Sequence, residues 1–337
     1  MRSFPLRSRV LAAVGAAAVA LSACGIGASP SPTATKLVVG LGFIPSVQFA
    51  QFYLADKAGY YAEEGLDVEF LNEIDANLVP KVGQGQVDIG MSDGTSVIPA
   101  VSQGIPVRYI ATVYGQFPSI VFGKASSGIT SAADLEGKKL GIPGRYGSSW
   151  IMLQALLDSV GLRPDDLEIV EYPDFGQGAA VAQGAVDAAT GFANNEPVQL
   201  ELTGTDAFVL HVDDVTALPG PGLIISDEML PSKHPAVEGF VRATLRAMEE
   251  IIADPTVGLD AAIAAVPELG QDRGTQASIL DATIDVWQAP GASGSADLGA
   301  IDHDGWADSI EFMTQLDLVP NAVTVDDLVT DRFLPGS

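Results

Sequence analysis

Four short segments hold the residue types that could grip a small molecule. The first contains Phe43, Pro45, Ser46, Gln48 and Phe49. The second is Ser92, Asp93, Gly94 and Thr95. The third contains Arg145, Tyr146, Ser148, Ser149 and Trp150, and the fourth is Asn194, Asn195 and Glu196. Phe43, Phe49, Tyr146 and Trp150 offer flat apolar contact. Gln48, Asn194 and Asn195 both donate and accept hydrogen bonds, whereas Asp93 and Glu196 accept from N–H or hydroxyl donors. Arg145 suits an anionic or carbonyl group. Some of these residues have plainer uses. Ser92, Asp93 and Thr95 are good helix caps, Gly144 and Gly147 suit a turn, and Phe52, Tyr53 and Tyr60 fit a core at helical spacing. Asn194-Asn195-Glu196 resists such a reading, because three polar residues close an apolar strand.

Covalent or metal chemistry has little to draw on. His211, His234 and His303 are scattered, and no His-x-x-x-His pair exists. Cys24 is the single cysteine, so an internal disulfide is excluded. Gly144 to Ser149 lacks the lysine of a nucleotide P-loop, and Gly40-Leu41-Gly42 lacks the third glycine of a dinucleotide fingerprint. His303 between Asp302 and Asp304 reads as a solvated turn. Neither a metal nor a cofactor is expected, nor is enzyme activity.

The segments follow predicted strands. Leu37 to Leu41 reads as a strand, broken at Gly42 and Pro45. Apolar residues from Phe49 to Tyr60 then fall at helical spacing, and Leu66 to Leu71 alternates as a second strand. Further strands are predicted at 87–91, 107–113, 119–123, 139–142, 167–172, 186–192, 207–211 and 222–226. Helices are predicted at 95–103, 150–160, 176–183 and 234–253, with helical stretches at 274–287 and 305–316. Strands alternating with helices predict an α/β fold with parallel-rich sheets. Ligands of such sheets bind beyond the carboxyl ends of the strands. A polar, turn-rich change of composition near residue 124 predicts one lobe at 36–123 plus 221–337 and a second at 124–220. Two crossovers between lobes imply a hinge and a cleft.

The N-terminus reads as a targeting segment. Arg2, Arg7 and Arg9 precede a short apolar run, Leu11 to Leu21, and Leu21-Ser22-Ala23-Cys24 has the form of a lipoprotein cleavage box. Residues 1–23 are expected to be removed, Cys24 lipidated, and 24–35, rich in Ser, Pro and Thr, to form a tether. No later apolar run approaches the ~20 residues of a membrane span. The expected location is the extracytoplasmic face of the cell membrane, held by the lipid on Cys24. With the three arginines of the leader set aside, 14 basic residues face 43 acidic ones, a formal charge of −29. Nucleic-acid binding is therefore not expected, since it needs a basic stripe.

Three motifs carry a family resemblance over nearly the whole mature chain. They are Gly59-Tyr60-Tyr61-Ala62-Glu63-Glu64-Gly65-Leu66-Asp67-Val68, Gly85-Gln86-Val87-Asp88-Ile89-Gly90 and Asp134-Leu135-Glu136-Gly137-Lys138-Lys139. They resemble the bacterial substrate-binding proteins that share a fold with thiamine-pyrimidine synthases and sulfonate-binding proteins, the NMT1/THI5-like group. The resemblance implies a two-lobed periplasmic-binding-protein fold of type II. It implies a monomer that captures a small molecule by hinged closure and delivers it to an ABC permease with ATPase subunits. Phe43 to Ala50 with Asn194 to Pro197 looks most like binding proteins for riboflavin or the thiamine pyrimidine, although those commonly have Pro-Asn where this chain has Pro45-Ser46. Under that resemblance Phe49, Tyr146 and Trp150 are expected as stacking platforms, and Gln48, Asp93, Asn195 and Glu196 as polar readers. An alkyl sulfonate, nitrate or taurine-like anion is the alternative ligand. A pyrimidine-precursor enzyme of the same fold is the alternative activity, although the His and Cys-rich features of those synthases have no match here. A sensor lobe for a signalling partner is the third reading.

Overall fold

The computed structural model describes residues 34–72, 77–288 and 297–336. The leader, Cys24 and the tether as far as residue 33 lie outside the described residues. The chain runs β1 (Thr35–Gly40), α1 (Ala50–Lys57), α2 (Tyr60–Glu63), β2 (Leu66–Leu71), α3 (Leu78–Gly83), β3 (Ile89–Ser92), α4 (Gly94–Ser102) and β4 (Val107–Thr112). It crosses into β5 (Ser119–Lys124), β6 (Lys139–Ile142), α5 (Gly147–Asp158), β7 (Glu168–Glu171), α6 (Gln177–Gln183), β8 (Ala188–Phe192), α7 (Glu196–Leu202) and β9 (Ala207–His211). It returns as β10 (Gly222–Ser226), α8 (Met229–Ser232), α9 (His234–Ala253), α10 (Pro255–Ala265), α11 (Arg273–Trp287), α12 (His303–Gln315) and α13 (Val325–Leu328).

Two five-stranded sheets result, ordered β2-β1-β3-β10-β4 and β7-β6-β8-β5-β9. The expected two-lobed α/β fold is observed. In each sheet one strand is antiparallel to its neighbours, β10 in the first and β5 in the second. These are the two strands that follow a crossover. A chain leaving the carboxyl edge of one sheet enters the other at its carboxyl edge and must run backwards. β5 pairs Ser119 with Phe192 and Ile120 with His211. By sheet pairing, the segment expected to close the first lobe therefore opens the second, and the first crossover is 113–118 rather than 123–124. Strand partners are non-local, and the turn-rich composition after residue 124 marks only the end of β5.

Both lobes repeat one device. Gly85-Gln86-Val87-Asp88 precedes β3 and Gly184-Ala185-Val186-Asp187 precedes β8, with Gly85 at φ 69° and Gly184 at φ 72°. Asp88 Oδ2 accepts from Val38 N at 2.8 Å, and Asp187 Oδ2 accepts from Lys139 N at 2.9 Å. Each aspartate thus satisfies a backbone donor on the parallel strand beside it, β1 in the first sheet and β6 in the second. α9 matches the predicted 234–253, with buried Val237, Phe240, Val241, Thr244, Leu245, Met248 and Ile251 on its core face. α10 has no counterpart in the sequence reading, which ends a helix at residue 253 and begins the next helical stretch at 274. In the structure Asp254 caps the next helix, accepting from Thr256 N at 3.0 Å, and Pro255 takes its first position.

The crossovers are tied to each other and to α11. Val113 N and Tyr114 N donate to Pro221 O at 3.1 and 2.8 Å, and Tyr109 Oη donates to Gly220 O at 3.0 Å. Any Cβ at Gly220 would lie 2.2 Å from Tyr114 O, so only glycine permits this approach. Gly115 N donates to Trp287 O and Gln116 N to Val286 O, each at 3.1 Å. Among the described residues no helix is long and apolar enough to cross a membrane.

Candidate functional site

The loop after β1 turns at Gly42, φ 72°. Phe43 beyond it is half-buried, while Ile44 and Pro45 are exposed. Ser46 Oγ caps a short 3-10 turn, accepting from Gln48 N at 3.3 Å and Gln48 Nε2 at 3.2 Å. Gln48 is buried. Phe49, expected as a stacking platform, is a core ring with its centroid 6.4 Å from that of Phe52.

Asp93 and its neighbours act locally. Asp93 Oδ1 accepts from Thr95 Oγ1 at 2.6 Å and from Ser96 N at 3.1 Å, capping α4. Burial pushes the Asp93 carboxyl above its ordinary range. Ser92 is the register partner of Gly222. Gly94 N donates to Pro219 O at 3.0 Å, and a Cβ on Gly94 would lie 2.7 Å from the Pro219 ring. This loop braces the second crossover.

The third loop is shorter than expected, because α5 begins at Gly147 and takes Ser148 and Ser149 into its first turn. Arg145 is engaged: it pairs with Glu171 at 3.4 Å and lies 5.3 Å above the half-buried Trp150 ring. Tyr146 is 53% exposed. In the fourth loop, Glu196 turns back on its own strand. Its Oε2 accepts from Phe192 N at 2.8 Å and packs against Gly191, where a Cβ would come within 2.9 Å of it. Burial raises the Glu196 pKa. Asn195 stands at the start of α7, and its Oδ1 accepts from Gln199 Nε2 at 2.8 Å.

Asn194 is the residue that joins the lobes. It is fully buried, and its Nδ2 donates to Gln48 Oε1 at 3.1 Å and to Thr283 Oγ1 at 2.9 Å. Three segments far apart in sequence therefore converge: the loop after β1, the end of β8 and α11. Thr283 and Trp287 lie four residues apart on one face of α11. Burial raises the pKa of Tyr114, on the first crossover, whose hydroxyl lies against the Asn194 amide. Asn194 Oδ1 is buried without a hydrogen-bond partner, as are Trp287 Nε1, one turn beyond Thr283 on α11, and both amide atoms of Gln51, one turn beyond Gln48. Phe43 reaches the second lobe as well, meeting Phe175 edge-on with centroids 5.6 Å apart at 76°.

Five of these residues were missed in the sequence reading: Gln51, Tyr114, Phe175, Thr283 and Trp287. Phe175 was within reach, since it follows a strand and precedes a helix as the other four loops do. Thr283 and Trp287 had no signal, because α11 reads as an ordinary amphipathic helix. The three family motifs lie outside this cluster. His303 pairs on the surface with Asp331 at 2.9 Å.

Two facing sheets with loops meeting at their carboxyl edges define an α/β fold of the periplasmic-binding-protein type. The solved alkanesulfonate-binding protein SsuA from Xanthomonas axonopodis pv. citri shares it, with a TM-score of 0.68 and 17% identity over 89% of this chain and 99% of that one. The chain belongs to the NMT1/THI5-like family, whose model matches residues 46–257. It is 34% identical to the riboflavin-binding protein RibY of Chloroflexus aurantiacus, over 90% of this chain and 88% of RibY. It is 27% identical to a 4-amino-5-hydroxymethyl-2-methylpyrimidine phosphate synthase of Saccharomyces cerevisiae, over 70% of this chain and 73% of that protein.

Proposed function

We propose that this protein is the extracytoplasmic solute-binding component of an ABC importer, anchored through a lipid on Cys24. In this reading it captures a neutral heteroaromatic vitamin or precursor, of the riboflavin or thiamine-pyrimidine type, and closes about its hinge as a monomer. The observation that carries the ligand class is the buried neutral hydrogen-bonding set at the lobe junction. Asn194, Gln48 and Thr283 supply donors and acceptors together, with the unpartnered amide of Gln51 and indole N–H of Trp287 one turn away on their helices. This matches rings that alternate acceptors and donors along an edge, C=O and N–H in riboflavin, ring nitrogen and amino group in the pyrimidine. Among the described residues the buried polar side chains include no Lys, Arg or His. A sulfonate or nitrate would leave the acceptor oxygens of Asn194 and Gln51 facing an anion. Arg145, the one cation in the four loops first singled out, is already paired. Binding rather than turnover is supported by the higher identity and wider coverage of the match to RibY than of that to the synthase.

Within this reading Gln48, Asn194 and Phe43 bind the ligand. Tyr146 and Trp150 are proposed to line the rim, and Asp93 and Glu196 to hold their loops in place. Calorimetry with riboflavin, 4-amino-5-hydroxymethyl-2-methylpyrimidine, ethanesulfonate and nitrate tests the proposal. Heat from one of the two heteroaromatics alone is expected; heat only from an anion would overturn the ligand class.

A further inference from the structure

Among the described residues two non-glycine positions have positive φ, Phe175 at 60° and Asp317 at 58°. For a residue as bulky as Phe the left-handed region is strained, and glycine would occupy it freely. The turn is nonetheless well held. Phe175 N donates to Tyr172 O at 2.9 Å, and Asp174 Oδ1 accepts from Gly176 N at 3.3 Å. β7 runs parallel to β6, so its carboxyl end lies on the same edge of the second sheet as the Gly144–Ser149 loop. From there the half-buried Phe175 meets the half-buried Phe43, which stands at the carboxyl end of β1 in the other sheet.

A strained backbone is kept at a ligand site when its side chain does something a relaxed residue cannot. We propose that Phe175 is the aromatic residue through which the second lobe closes on the site, and that it sets the preference for a flat ring. The ring preference rests on the heteroaromatic reading above; the closing role does not. In the structure Phe175 and Phe43 meet edge to face, an arrangement aromatic rings favour. A flat molecule entering between them exchanges that single contact for one on each of its faces. An anion offers no such exchange, so the pair discriminates by shape where the Asn194 cluster discriminates by hydrogen bonding.

The test compares wild type, Phe175→Gly, Phe175→Ala and Phe175→Tyr in the full mature protein. Phe175→Gly and Phe175→Ala both remove the ring, but only glycine relieves the backbone. Phe175→Gly is therefore expected to melt at a higher temperature than Phe175→Ala while both lose riboflavin affinity by about tenfold. Phe175→Tyr, which keeps the ring, is expected to bind within about threefold of wild type. Ligand-free scattering profiles give the second readout: Phe175→Gly should have the larger radius of gyration. Wild-type affinity in both ring-deleted variants, or a radius of gyration unchanged in Phe175→Gly, would overturn the proposal. If wild type takes up neither riboflavin nor 4-amino-5-hydroxymethyl-2-methylpyrimidine, the ligand reading fails together with the ring preference, and the scattering comparison still decides whether Phe175 closes the lobes.

Discussion

Asn194 has its amide hydrogens engaged and its oxygen unengaged, and that imbalance defines the site at the residue scale. Nδ2 spans Gln48 and Thr283, while Oδ1 has no hydrogen-bond partner. A buried polar atom left unpaired costs about 1–3 kcal/mol, so the open acceptor of Asn194 at the lobe junction is a feature that a ligand would relieve on the reading proposed above. Replacing Asn194 by Ala also strands Gln48 Oε1 and should lower stability by about 1–3 kcal/mol in urea denaturation; wild-type stability would show that the bridge carries no energy. A second residue gives a pH signature. Asp213, on the second crossover, accepts from Phe117 N of the first at 3.3 Å. Burial pushes its carboxyl from 3.8 to about 6, the Phe117 hydrogen bond and His211 opposing and Asp214 adding to the rise. It lines a cavity of about 580 Å³ with Asp158 of α5, neighbouring Asp214, and Asp308 and Glu311 of α12. The folded state holds this proton more tightly than the unfolded chain. Its stabilising contribution is therefore complete below pH 3.8 and lost as pH rises through about 6. Asp213→Asn should flatten melting temperature against pH across that window; an unaltered slope would remove Asp213 as its source.

At the scale of elements, the motif that identifies the family is a clamp between α2 and α9. Tyr61 stacks on Phe240 at 4.9 Å and 3°, with its hydroxyl 2.9 Å from Thr244 Oγ1. Around this buried pair, Glu64 makes a two-pronged pair with Arg242 at 2.8 Å, and Glu63 meets Arg246 at 2.7 Å. The Arg246 guanidinium also lies 3.7 Å over Tyr60, expected as a core ring but in fact half-buried. The aromatic contact should dominate. Tyr61→Ala is expected to cost about 3–5 kcal/mol, and Arg242→Ala less than about 1 kcal/mol because its partners are partly solvated. Chemical denaturation of the two variants distinguishes these; equal losses would mean that the ion pairs carry the clamp. Elements with local signals were legible in the sequence. α9 has its periodicity and its proline, and β10 has an uninterrupted apolar run. α10 was hidden because one Pro both follows a helix and starts another. β5 was placed in the wrong sheet because its partners β8 and β9 lie more than 60 residues away.

Across the whole molecule, two sheets of identical strand order face each other at their carboxyl edges, and the crossovers that join them are bonded to each other and to α11. Asn194 was legible as a polar ending to an apolar strand. Its partner Thr283 was not, because only the return of the chain past the hinge brings α11 to the junction. The candidate site is thus a property of the assembled lobes rather than of any one segment. This places the central claim, capture of a neutral heteroaromatic ring between lobes, on a single titration. Riboflavin fluorescence is followed as ligand-free mature protein is added. Saturable one-to-one quenching with a Kd of about 1 µM or tighter is expected for wild type, weakened at least about tenfold by Asn194→Ala. Undiminished fluorescence at about 100 µM protein would contradict the riboflavin assignment, and ethanesulfonate binding by the same preparation would contradict the neutral heteroaromatic class.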